Sequence, residues 1–357
     1  MNDRIAVGIV GTSWWADLIH LPALASHPRT DLVAICGRNR ERAEVMAEKY
    51  GIHHVYTDHQ EMFDKGALDA LVVAVPDDLH YQIAMDALTS GLHVVCEKPL
   101  ASNADQAREM VQTAQAKGVK HMTFFTLRWI PCFSFMKEMV REGFIGQPYS
   151  CLAHFRGSYG HYTGYQWRFD KSRANGILGD LGSHMIDLSR WLVGDIVGLN
   201  AHLKSTVKRY DGEGQLIEPA NDSALLSVRF ENGAHGQIVA DAMSHIGKRG
   251  VDLRVEIHGE EGMLEARMTF EQATIHGARK DKEDIRMLFN TDYGSGEDWI
   301  HPYLILTNQP VGIRHFVDCI VDDRPVSPSF YDGWKTQQVI DAAIESHGSG
   351  QWIELSS

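Results

Sequence analysis

The sequence predicts an α/β protein in two parts, a doubly wound parallel sheet over residues 1–124 and an α+β domain with a large, mostly antiparallel sheet over residues 125–357. Three observations carry this. Short β-branched runs alternate strictly with helical patterns through the first 120 residues; beyond about residue 125 the strands lengthen and turn residues separate them; and 357 residues suit two cores better than one.

In the first part, strands are expected at residues 4–10, 32–36, 70–75, 93–96 and 121–125, with helices at 15–26, 41–50, 80–89 and 103–117. Helices that follow strands in this way act as crossovers, and ligands of such sheets sit beyond the carboxyl ends of the strands. In the second part, strands are expected at residues 149–155, 199–207, 222–230, 235–241, 252–259 and 262–268. A helix at 183–192 and the turns Glu231-Asn232-Gly233 and Glu260-Glu261-Gly262 interrupt them. The polar stretch 277–302 reads as a loop, and 311–322 and 333–346 as closing helices.

Composition excludes several classes. With 44% hydrophobic and 23% charged residues the chain is globular rather than disordered. No apolar run reaches the roughly 18 residues of a membrane span and no signal-peptide pattern opens the sequence, so a cytoplasmic location without membrane attachment is expected. A net charge of -13 argues against nucleic acid as a partner. Cys36, Cys96, Cys132, Cys151 and Cys319 form no C-x-x-C pair and read as buried thiols. Metal is not expected either: His53-His54 and the pair His80, His93 lack a third ligand at recognisable spacing.

The first strand ends in Gly8-Ile9-Val10-Gly11-Thr12-Ser13-Trp14-Trp15-Ala16, a G-x-G-x-x-G/A fingerprint with Ser13 at the second glycine. Gly11 permits the tight turn, Ser13 is small enough for close approach to a pyrophosphate, and Ala16 lets the helix pack on the strand. The helix start offers N–H groups to phosphates. Gly11, Thr12, Ser13, Trp14 and Trp15 are therefore expected cofactor contacts of a Rossmann-type turn.

Further along, Val94-Val95-Cys96 runs into Glu97-Lys98-Pro99. Pro99 keeps Lys98 out of the α region and holds it at a strand's carboxyl end, where an ammonium could hydrogen-bond a substrate hydroxyl. A third constellation is Asn175-Gly176-Ile177-Leu178-Gly179-Asp180-Leu181-Gly182-Ser183-His184-Met185-Ile186-Asp187. Spacings of four and three residues let Asp180, His184 and Asp187 share a helix face. His184 suits a proton shuttle, and Asp180 can orient the substrate or the imidazole. The competing assignments make Asp180 an N-cap and His184 a surface residue, while Asp187 reads as structural.

Together these segments resemble the glucose-fructose oxidoreductase, inositol dehydrogenase and MocA (Gfo/Idh/MocA) family of NAD(P)-dependent oxidoreductases. The resemblance extends through Val75-Pro76-Asp77-Asp78-Leu79-His80, Gly143-Phe144-Ile145-Gly146, Asp332-Gly333 and Ala343-Ile344-Glu345-Ser346. It implies hydride transfer between a nicotinamide and a hydroxyl or ketone carbon, with Lys98, Asp180 and His184 as the catalytic group. It also implies that Pro76, His80, Glu97 and Lys98 line the cofactor cleft.

Past the expected boundary, Arg128-Trp129 and a run containing Arg156, Tyr159, His161, Tyr162, Tyr165, Trp167 and Arg168 offer hydrogen bonds and flat apolar faces. Such groups fit a sugar, an inositol or a sugar acid. Arg128, Trp129, Arg156, Tyr162, Trp167, Arg168, Asp180, His184 and Lys98 are the expected substrate residues. A glycoside hydrolase that holds NAD tightly and works through transient oxidation is the alternative, and a nonenzymatic dinucleotide sensor the third. At the end of the second strand, Gly37-Arg38-Asn39-Arg40 stands where an acid would bind the ribose of NAD. Gly37, Arg38 and Asn39, helped by Arg40 or by Arg42, therefore favour the 2'-phosphate of NADP, with NAD as the lesser cofactor. The broad second sheet needs cover on its outer face, which predicts a homodimer or homotetramer.

Overall fold

In the computed structural model, residues 4–282, 284–295 and 299–355 are described. The chain divides into two compact units, Met1–Thr126 with Tyr303–Gln337 and Leu127–Pro302 with Gln338–Ser357. A single cut near residue 124 does not describe this division, because a late segment returns to the first unit. Ion pairs hold it there: Arg29 meets Asp318 and Asp322, on and just past the helix Ile313–Val321. The other closing helix spans Phe330–Ser349.

The first unit is built on β1 (Ile5–Val10), β2 (Thr30–Cys36), β3 (His54–Tyr56), β4 (Ala70–Val73), β5 (His93–Cys96) and β6 (His121–Thr123). All pairs are parallel, in the order β3-β2-β1-β4-β5-β6. Strand order reverses between β1 and β4, and this opens a crevice at their carboxyl ends. Strand residues Val10, Leu71, Val73 and Val94 meet Ala84, Ala87, Leu88, Ala107 and Met110 of the crossover helices in one buried cluster. The helices start where the sequence supplies caps: Asn39 Oδ1 accepts the Arg42 N–H and Asn103 Oδ1 that of Gln106. β3 and the helix His59–Lys65 were not anticipated, since a three-residue strand carries no readable period.

The second unit carries β7 (Pro148–Gly157), β8 (Ile196–Lys204), a small hairpin of β9 (Arg209–Tyr210) and β10 (Leu216–Ile217), β11 (Ser223–Phe230), β12 (His235–Asp241), β13 (Val251–Gly259), β14 (Gly262–Met268), β15 (Gln272–Arg279), β16 (Arg286–Asp292) and β17 (Ile353–Glu354). Nine of these form one sheet, in the order β16-β15-β14-β13-β7-β12-β11-β8-β17. Its pairs are antiparallel except β7 with β12. Cys151, Ala153 and Phe155 of β7 are buried, whereas Leu152 and Arg156, which alternate with them, are exposed on the opposite face. The stretch expected as a loop contains the end of β15 and all of β16; residues 283 and 296–298 of it lie outside the described residues. β16 is an edge strand with mostly solvent-facing side chains, so its hydrogen bonds to β15 make it a strand and its own residues give little sign of it. Among the described residues no helix is long and apolar enough to cross a membrane.

Candidate active site

The turn after β1 is dictated by close backbone approach. Gly11 has φ of 128°, its N–H donates to Cys36 O at 2.9 Å, and a Cβ there would stand 2.1 Å from Ala74 O. No side chain fits. Ser13 does more than stay small: its Oγ accepts the Ala16 N–H at 3.1 Å and closes the first turn of the helix. That accounts for a serine at the second fingerprint glycine.

Beside this turn lies a cavity of about 550 Å³, lined by Gly11, Thr12, Ser13, Gly37, Arg38, Asn39, Arg42 and Pro76 among others. Its lining holds two arginines and a histidine and, among the described residues, no carboxylate. Arg40 points to other business, pairing with Glu44 at 2.9 Å. Gly37 leaves less room than the sequence suggests, since a Cβ would come within 2.5 Å of Thr12 Cγ2. Cys36, also in the lining, is a protonated thiol at neutral pH, because burial, helped by Asp58 and Glu61, pushes it up to about 11. All five cysteines are free and buried.

Lys98 follows β5 in a turn anchored on both sides, and its peptide to Pro99 is cis. Glu97 Oε1 accepts the Trp15 indole N–H at 2.7 Å and lies 2.8 Å from His20 Nε2, while Oε2 accepts the Lys98 N–H at 3.3 Å. Burial opposes the charge on Glu97, but the His20 hydrogen bond and the charges of His20, Lys98 and His80 outweigh it and hold the carboxyl below its ordinary range. His80 is fully buried, its ring nitrogens 2.8 Å from Pro99 O and 2.9 Å from Val75 O. It thus shapes the cleft from behind and has no surface left to line it. Burial lowers its pKa. His20 escaped the sequence reading; the π-helical turn Ala16–His20 brings it and Trp15 to the same carboxylate oxygen, a spacing that an α-helical template misses. Trp14 is half exposed and sits edge-on to Trp15, 5.5 Å away.

In the second unit, Asp180 lies in a π-helical turn, Leu178–Gly182, that leads into the helix Ser183–Val193. It is not a cap. Asn221 does that work, with its Oδ1 accepting the Leu178 N–H at 2.9 Å. Asp180 Oδ2 instead accepts the Tyr159 hydroxyl at 2.7 Å and meets Arg168 Nε at 3.2 Å. The Arg168 guanidinium lies 5.8 Å from the Tyr159 ring centroid and 5.3 Å from that of Trp167. His184 is buried, 6.2 Å from the Phe155 ring.

Other expected substrate residues are placed elsewhere. Arg128 is buried in a two-pronged pair with Asp187, at 2.8 and 2.6 Å, so its guanidinium is engaged inside the second unit. Arg156 faces the outer side of the sheet, because strand alternation puts it opposite Phe155 and hence opposite His184. Tyr162 is 63% exposed, and Trp129 is half-buried. Tyr159 was visible in the aromatic run, but its bond to Asp180 was not.

The parallel sheet, the glycine turn and the cavity define a dinucleotide-binding fold of the Rossmann class. The chain belongs to the Gfo/Idh/MocA oxidoreductase family: residues 5–125 match its NAD-binding Rossmann fold and residues 137–355 its C-terminal alpha/beta domain. Levoglucosan dehydrogenase of Pseudarthrobacter phenanthrenivorans is 29% identical over 353 residues, covering 90% of this chain and 88% of that protein. The scyllo-inositol 2-dehydrogenase (NADP(+)) of Bacillus subtilis is 30% identical over 283 residues, 73% of this chain and 81% of its own. Among solved structures, levoglucosan dehydrogenase in complex with NADH and levoglucosan has a TM-score of 0.86 at 26% identity, over 99% of this chain and 100% of that one.

Proposed function

We propose that the chain is a cytoplasmic dehydrogenase that oxidises a CH–OH group of a sugar, inositol or sugar acid, or reduces the matching ketone, with NADP preferred over NAD. The observation that carries the reading is the cavity at the Gly11 turn, lined by Arg38 and Arg42 and, among the described residues, by no carboxylate. Neither arginine has an ion-pair partner among the described residues. An anionic group such as a 2'-phosphate would complete them. The dehydrogenases of levoglucosan and scyllo-inositol among its relatives support a polyol substrate.

When bound, the nicotinamide supplies the hydride acceptor or donor. The protein handles the proton. Lys98, held by the Glu97 and Pro99 anchors, hydrogen-bonds the substrate hydroxyl and favours its deprotonation. His184 takes up or returns that proton, and Asp180 orients the substrate as a hydrogen-bond acceptor. Trp167 and Arg168 give a sugar ring a flat face and donors. The outer face of the nine-stranded sheet is the surface through which copies pair into dimers or tetramers. Screening sugars, inositols and sugar acids by nicotinamide absorbance with both cofactors tests the reading. A higher kcat/KM with NAD would overturn the cofactor preference, and release of free sugar from a glycoside without net nicotinamide turnover would favour a hydrolase.

A further inference from the structure

Asp180 is engaged from outside its own helix. The Tyr159 hydroxyl, at 2.7 Å, and Arg168 Nε, at 3.2 Å, both address the same carboxylate oxygen, Oδ2. Both residues come from the segment that follows β7, and that segment is itself pinned. Arg209, buried and 4.1 Å from the Phe169 ring centroid, donates to the backbone carbonyls of Gly160, at 2.7 Å, and Tyr162. Tyr159 packs on Phe169 at 6.1 Å between centroids. Burial, with the charge of Asp180, pushes the phenol pKa well up, so Tyr159 remains a neutral donor at any working pH. A carboxylate oxygen that receives a phenol O–H and has a guanidinium in ion-pair contact beside it is held as an acceptor in one orientation.

We propose that Tyr159 is a positioning residue of the reaction: it acts through Asp180, fixing that carboxylate in its ionised form and rotamer for the substrate, with Arg168 as the second anchor. This rests on the reading that Asp180 takes part in the chemistry. The inward residues of the strands packed under this turn, Phe155, Ala224 and Ala240, are apolar. The ionisable groups around Asp180 therefore include Tyr159 and Arg168 from the loop and His184 one turn along its own helix.

The test is a double-mutant cycle of Tyr159→Phe and Asp180→Asn in the full chain, with pH profiles of kcat/KM and cofactor titration. Tyr159→Phe removes one hydrogen bond to a charged group, so kcat/KM should fall about 10- to 100-fold while cofactor affinity holds. Its acidic limb should move to higher pH, because a carboxylate that loses a donor binds its proton more tightly. In the Asp180→Asn background the Tyr159 effect should vanish. Additive losses, including those of a variant that folds poorly, would overturn the proposal, as would an unmoved limb. Retained turnover in Asp180→Asn would instead take Asp180 out of the chemistry and remove the basis of the proposal; a dead Asp180→Asn beside an unaffected Tyr159→Phe overturns the positioning role alone.

Discussion

The Gly11 turn of the first unit and the Asp180 cluster of the second are built in different currencies. At the Gly11 turn the work is done by backbone: a glycine that alone fits 2.1 Å from Ala74 O, a strand crossover, and N–H groups at a helix start. Around Asp180 it is done by side chains: a phenol and a guanidinium on one carboxylate oxygen, with a neighbouring buried ion pair locking the helix. Backbone sites tolerate no added atoms but leave most side chains free to vary. Side-chain sites tolerate backbone variety but fail when one partner is removed, and the following experiments probe that contrast.

The largest effect should come from Gly11→Ala. Its Cβ has nowhere to go and its φ is unfavourable, so cofactor binding should disappear with about 3 kcal/mol or more of stability, read by fluorescence titration and urea unfolding. Next is Asp187→Ala, which strands the Arg128 guanidinium in the core and should lower stability by about 3–5 kcal/mol, with kcat per folded molecule largely kept. A large loss of kcat in the folded fraction would break the assignment of Asp187 as structural.

Acid should weaken both units together. His121 and His154 are lowered from 6.5 to about 4, in each case chiefly by burial. On acidification the unfolded chain takes up protons first, so the stability is fully present above about pH 6.5 and is lost as pH falls toward 4, by up to about 3 kcal/mol for each group. Urea midpoints that stay level across this window would show the two rings are not buried neutral. Smaller still, Lys98→Met should leave cofactor affinity intact and reduce turnover by about 100-fold, and preserved turnover would remove Lys98 from the reaction.

The smallest effect should be Arg38→Ala, which should weaken NADP about tenfold and leave NAD nearly unchanged, as measured by the ratio of kcat/KM values. Its mirror, an acid at position 37 to recruit NAD, meets Thr12 in the structure. Gly37→Asp alone should therefore do less than the double change Thr12→Gly with Gly37→Asp, and an equal effect would show that Thr12 swings aside freely.

Legibility followed the same divide. The fold class, the strand alternation, the Gly11 fingerprint and the family resemblance were all readable, because a doubly wound sheet imposes periodicity and one turn imposes its small residues locally. Asn39 and Asn103 cap their helices through equally local bonds, although the sequence reading did not use them. Hidden from the sequence were contacts between residues far apart along the chain: His20 on Glu97, Tyr159 on Asp180, Asn221 at the start of the Asp180 turn, and Arg128 on Asp187. Arg156 and Arg128 read as substrate donors on composition, yet strand alternation turned one outward and a buried carboxylate claimed the other. Edge strand β16 exists through its pairing with β15. Local sterics and periodicity act over a few residues and can be read from them, whereas the partner of a buried charge depends on which distant segment the packed chain brings alongside it.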